Sequence, residues 1–203
     1  MSKRWNIAVL AGALLAFVST AAFAAPPERY SQDVAMGTFI GAEEGLDRAF
    51  VSVIRGDDDR IYFELCDYKT DIWPEPAGLE PECWGTPGGT SLAVDTDRFV
   101  FNRNEVRFAG PVVLTCLFAW ECGDEPDVEV YVEVAFDVDS VERTVRVFEP
   151  AEGLYVRETN LDYSIGSGAL SVSGSPIPLE AFDNGQDFDG WSTKQQIRDK
   201  TGA

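Results

Sequence analysis

Between Val128 and Val138 the chain alternates residue by residue. Val128, Val130, Val132, Val134, Phe136 and Val138 fall on one side of an extended backbone; Glu129, Tyr131, Glu133, Ala135, Asp137 and Asp139 fall on the other. Successive strand side chains point to opposite faces, so this period of two predicts an antiparallel strand with one face on a core and one in water. Ile61, Phe63 and Leu65 alternate with Tyr62, Glu64 and Cys66 in the same way. Residues 37–42, 48–54, 98–108, 111–117, 141–149, 154–159 and 163–173 are further strand candidates. Turn chemistry separates them at Glu43-Glu44-Gly45, Gly56-Asp57-Asp58-Asp59, Gly110-Pro111, Gly123-Asp124-Glu125-Pro126 and Pro150 to Gly153. The expected fold is all-β: a single antiparallel β-sandwich or flattened β-barrel of about nine or ten strands, with a meander over 127–159.

Two stretches break the pattern. The segment from Asp67 to Leu92 is rich in Pro and Gly and holds Trp73, Cys83 and Trp84, which predicts a long loop. Residues 181–203 are polar apart from a few aromatics. They read as a C-terminal tail ending in a short, frayed helix capped by Ser192, with Gln195 closing the capping box.

The first twenty-four residues have the three-part layout of a secretory signal. Lys3 and Arg4 precede an apolar run from Ile7 to Val18, and small residues lead to Ala22-Phe23-Ala24, an A-x-A cleavage site. The competing reading is an uncleaved anchor. The strongly apolar part is about a dozen residues, short of the roughly twenty that a helical span needs. The expected organisation is therefore a cleaved signal at 1–24, an all-β domain at 25–180 and the tail at 181–203. The destination is periplasmic or extracellular, without stable membrane insertion after cleavage.

Export changes how the remaining composition reads. Loss of Lys3 and Arg4 takes the formal charge from −19 to −21, with eleven arginines but only Lys69, Lys194 and Lys200 left. Such a surface repels nucleic acid, which binds by releasing counterions to positive side chains. It suits a solvated acidic skin that maintains solubility. Cys66, Cys83, Cys116 and Cys122 make an even count in an exported chain and so predict two disulfides. Loop-closure entropy favours Cys66 with Cys83 and Cys116 with Cys122. The second pair requires residues 117–121 to curl into a loop, because six residues of strand would separate the α-carbons by roughly 20 Å; otherwise the bonds cross to the Cys66 region.

The chain contains no histidine. That removes Ser-His-Asp and Cys-His arrangements and histidine-ligated metal sites, and oxidised cysteines remove thiol nucleophiles. A pair of carboxylates remains as an enzymatic alternative, in the manner of a small glycan-active hydrolase. Glu129 and Glu133 share a face but stand roughly 13 Å apart on one strand, so either would need a cross-strand partner. The simpler expectation is that Glu129, Glu133 and Asp137 meet Arg143, Arg146 or Arg157 as cross-strand ion pairs. A calcium-dependent module is a further alternative, resting on the acidic run Asp183 to Gly190. An EF-hand register there fails, because Gly185 and Gln196 stand where carboxylates are required. The third candidate is a ligand surface formed by Trp73, Trp84 and Trp120, which lie near the cysteines and whose faces suit sugar rings or apolar peptide segments. The resulting expectation is an exported, acidic, disulfide-stapled domain with a binding or structural role rather than a catalytic one. It needs no cofactor, and its ligand is a glycan or a protein.

Overall fold

The computed structural model describes residues 27–41, 47–68, 78, 81–94, 96–117, 126–177, 179 and 182–199. The proposed signal, Trp73, Trp120 and Cys122 lie outside them. Ten strands account for nearly all of the described chain: β1 (Glu28–Gly41), β2 (Asp47–Arg55), β3 (Arg60–Asp67), β4 (Glu82–Gly85), β5 (Leu92–Ala93), β6 (Arg98–Phe101), β7 (Glu105–Cys116), β8 (Val128–Ala151), β9 (Leu154–Ser173) and β10 (Phe182–Asp199). Every pairing is antiparallel. The hydrogen-bonded order is β2-β1-β10-β9-β8-β7-β4-β3-β5, and β2 also pairs with β3. Following the pairs from β2 through β1, β10, β9, β8, β7, β4 and β3 therefore leads back to β2. Strands β5 and β6 fill in beside β3 and β7, where β4 is too short to bridge them along their length.

Alternation drives this arrangement. Val51 and Val53 on β2, Ile61, Phe63 and Leu65 on β3, Val106, Phe108, Val112 and Leu114 on β7, and Val130, Val132, Val134 and Phe136 on β8 all point inward and are buried. Each large apolar side chain withdrawn from water contributes about 1.5–3 kcal/mol, which offsets the ordering cost of the strands. Trp84 and Phe39 complete the same core. Phe188 enters it through a bulge in the β1–β10 register between Met36 and Thr38, and Asp187 just before it takes a φ of 53°. The Phe188 ring lies across Gly37, Gly168 and Gly185; a Cβ built on Gly185 would come within 2.0 Å of it.

Several boundaries differ from the sequence reading. Residues 141–149 are not a separate strand but the far half of β8, and 154–159 and 163–173 are one strand, β9. Residues 98–108 divide into β6 and β7, joined by a tight turn in which the Asn102 side chain accepts hydrogen bonds from the backbone N–H groups of Asn104 and Glu105. Gly110-Pro111 is not a turn, since β7 runs straight through it. Pro111 falls between the stretch of β7 that pairs with β6 and the stretch that pairs with β4, so no neighbour on that side asks for its missing N–H. The expected C-terminal helix is strand β10, which pairs with β1 on one side and β9 on the other. From Gly190 to Ile197 both flanking strands pair with it residue by residue, an outlet stronger than a capping box on a helix with one large apolar residue to bury.

Candidate functional site

β8, β9, β10 and β1 continue beyond the closed circuit as a four-stranded apron: residues 141–151, 154–162, 191–199 and 28–33. Here β8 has passed the end of its pairing with β7 at Asp137, and β1 pairs with β2 only from Asp33 onward. From Val141 to Phe148 the β8–β9 register is unbroken, as are those of β9 with β10 and β10 with β1 beside it, so cross-strand rows can be read off directly. One row is Val141, Tyr163, Gly190 and Ala35; the next are Arg143, Leu161, Ser192 and Asp33, then Val145, Thr159, Lys194 and Ser31, then Val147, Arg157, Gln196 and Arg29. Paired residues in an antiparallel sheet point to the same side. Ala35 is a core residue, so these rows continue the core side of the sheet out into solvent.

That side carries Arg29, Arg143, Arg157, Lys194 and Arg198, all exposed, against two acids: Asp33, which is buried, and Glu149, which follows Val147 on the same side of β8 and accepts a hydrogen bond from the Gly153 N–H at 2.7 Å. The five make up nearly a third of the 16 basic residues in a chain of net charge −19. Among them stand exposed apolar side chains: Val145 at 41 %, Val147 at 66 % and Tyr155 at 37 % relative exposure. Val147, Tyr155, Arg157, Gln196 and Arg198 line a shallow depression of about 230 Å³. At the base of the apron, Phe101 packs edge-on against Tyr163 at 5.3 Å, and burial together with the nearby Asp33 carboxylate raises the Tyr163 hydroxyl's pKa, opposed by Arg103.

The outer side of the apron is built differently. Its rows hold Glu28, Glu142, Glu158 and Asp162 against one base, Arg146. The Glu158 carboxylate accepts hydrogen bonds from Arg146 Nε at 2.6 Å, Asn160 Nδ2 at 3.0 Å and Gln195 Nε2 at 2.8 Å. Thr193 Oγ1 in turn donates to Asn160 Oδ1 at 3.0 Å. These donors, Arg146 foremost, lower the Glu158 pKa to about 2. A carboxylate so firmly ionised clasps three strands together and holds no proton to give at neutral pH.

The residues singled out in the sequence are distributed otherwise. Trp84 is wholly buried in the core, with its indole N–H donating to Glu82 Oε1 at 3.1 Å, so it presents no face to a ligand. Cys66 and Cys83 form a disulfide across paired strands β3 and β4; Cys116 is also disulfide-bonded. Glu129, Glu133 and Asp137 are exposed on the closed part of β8, away from the apron arginines. Asp137 stands opposite Glu105 and accepts a hydrogen bond from Ser167, while Arg146 pairs with Glu158 instead. The run Asp183 to Gly190 is part of β10, and its Phe188 is committed to the core. Asp57, Asp58 and Asp59 form the exposed β2–β3 turn, where Asp59 lies 4.0 Å from Arg55. The apron's cationic side was not singled out. Its signal was available only as odd-numbered arginines on β8 and β9, and it needed the register of β10 and β1 to become a surface.

The architecture defines an all-antiparallel β protein stapled by a disulfide. No family model matches the chain, and no curated protein does. Solved structures that match include the enduracididine biosynthesis enzyme MppR complexed with pyruvate, at 14 % identity over 88 % of this chain and 91 % of that one, with a TM-score of 0.31. The same enzyme complexed with the condensation product of pyruvate and imidazole 4-carboxaldehyde matches at 14 % identity, 85 % and 87 % coverage and a TM-score of 0.29. At such scores the likeness carries no argument about fold or activity.

Proposed function

We propose that this chain is an exported, non-catalytic binding domain whose ligand surface is the core side of the apron. The observation that carries this reading is the apron's composition. Exposed valines and a tyrosine stand there among five cations, on strands that extend past the part of the sheet they help to close. Side chains that only stabilise a fold are covered by it; these are held rigidly in a four-stranded sheet and left open. The closed circuit of pairings supports a flattened barrel as the body that carries the apron. Export is supported by the Cys66–Cys83 disulfide, a bond that persists in oxidising compartments, and by the signal-like residues 1–24.

Expression of the full chain in a bacterial host should yield protein in the periplasm that begins at Ala25. The processed protein is then screened by thermal shift against glycans and peptides of varied charge, beside Val147→Ser/Tyr155→Ser. The expected result is at least one ligand that raises the Tm of the wild type and not of the double variant. A screen in which every stabilising ligand acts equally on both proteins would overturn the assignment of the apron.

A further inference from the structure

Resting on that reading, we infer that the ligand is an acidic polysaccharide, one whose carboxylate or sulfate groups are spaced apart along the chain. Arg157 and Arg198 flank the 230 Å³ depression, with Tyr155 and Val147 as its apolar wall and Gln196 as an amide donor and acceptor. A guanidinium pair beside an aromatic side chain matches a sugar unit bearing an anionic group: the arginines take the acid, the tyrosine ring the apolar face of the pyranose. The other cations extend the surface at regular intervals. Arg29 is two strands from Arg157, roughly 10 Å, and Lys194 is four residues from Arg198 along β10, roughly 13 Å.

Those spacings discriminate among anions. Double-stranded DNA presents one charge per about 1.7 Å of axis, and the field of a chain at −19 opposes so dense a polyanion along its whole length. A sparsely charged glycan meets the five cations locally and little of the acidic remainder. An acidic peptide in extended form would instead add to an open sheet edge; the apron's β1 edge, residues 28–32, offers only five residues, and its β8 edge resists strand addition. It carries Glu142, Arg143, Arg146, Glu149 and Pro150, the charged and proline residues that keep edges unpaired.

Hyaluronan decasaccharide, with one carboxylate per disaccharide, is the probe. Its carboxyl-reduced form and a short DNA duplex serve as neutral and dense comparisons. Binding to the processed protein is measured by calorimetry at low and at moderate salt. The wild type should bind the native oligosaccharide, more weakly as salt rises, and bind the other two at least about tenfold less. Arg157→Glu/Arg198→Glu should weaken binding by about tenfold or more, whereas Arg48→Glu/Arg60→Glu, an equal charge change on β2 and β3, should change it by less than about threefold. Equal losses in the two double variants would overturn the proposal, as would absence of binding to native hyaluronan. If the carboxyl-reduced form binds as well as the native one, and Val147→Ser/Tyr155→Ser abolishes both, the acidic ligand is wrong while the apron remains the binding surface.

Discussion

β8 and β9 each pass through two environments without a break. In the closed part, Val130, Val132, Val134 and Phe136 of β8 are buried in the shared core, where Phe136 meets the rings of Phe39 and Phe188; past Asp137 the same strand presents Val145, Val147 and Phe148 to solvent. The covalent pattern changes only in part: Val141, Val145 and Val147 keep the apolar period of β8, while Arg143 and Phe148 break it. What changes more is what lies behind the strand. The first half has a core behind it, whereas the second lies beyond that core: Val156 and Glu158 are still covered on its outer side, but Val145, Val147 and Tyr155 stand exposed on the other. There the stabilising work falls to cross-strand hydrogen bonds such as the Glu158 clasp. The contrast teaches that alternation specifies a strand, while only the tertiary partner decides whether its apolar face is core or surface.

Substitutions in the two halves should separate them. The largest effect is expected for Phe136→Ala, which empties a fully buried site that touches the rings of Phe39 and Phe188. It should cost about 3–5 kcal/mol in chemical denaturation, and a loss below about 1 kcal/mol would mean that the closed part is not the stability core. An intermediate effect is expected for Glu158→Gln, and it should depend on pH. The Glu158 carboxyl falls from 4.5 to about 2 on folding, so it stabilises the wild type fully above pH 4.5 and loses that contribution as pH falls toward 2. The variant should be less stable than the wild type at pH 7, and the two should converge as pH approaches 2. A gap that stays constant across that range would show that the clasp acts through shape and not charge. The smallest effect is expected for Val147→Thr, within about 0.5 kcal/mol of the wild type, because the side chain is 66 % exposed. A loss comparable to that of Phe136→Ala would mean that the apron is covered in solution.

The same contrast explains what could be read from the chain alone. The strand at 128–138 and the Ile61 to Leu65 strand were legible because their apolar faces meet a core. The Cys66–Cys83 bond was legible from loop length, which favoured that local pairing. β9 looked like two strands because Asn160, Leu161 and Asp162 interrupt the alternation with residues suited to a loop. In the structure Asn160 belongs to the Glu158 clasp, an arrangement set by strands far away in sequence. β10 read as a tail for a related reason. Its bulge at Asp187 and Phe188 shifts the period by one, and the three glycines that receive the phenyl ring come from three strands. The binding surface was the least legible part. Trp84 has the chemistry of a ligand platform but the neighbours of a core residue, whereas Arg157 and Arg198 become a site only when β10 is placed beside β9.

The direct pairing of β1 with β10 has a consequence for the order in which the molecule assembles. Val34 lies opposite Trp191, so the first described strand takes one of its two neighbours from the last described one. Synthesis delivers β1 first and leaves that flank bare until the final eighteen-residue strand arrives. Closure is then a contact between strands separated by 157 residues, Val34 to Trp191, the kind that forms slowly. For most of its birth the molecule is an open sheet with two sticky borders, and a truncation that removes β10 would hold it there.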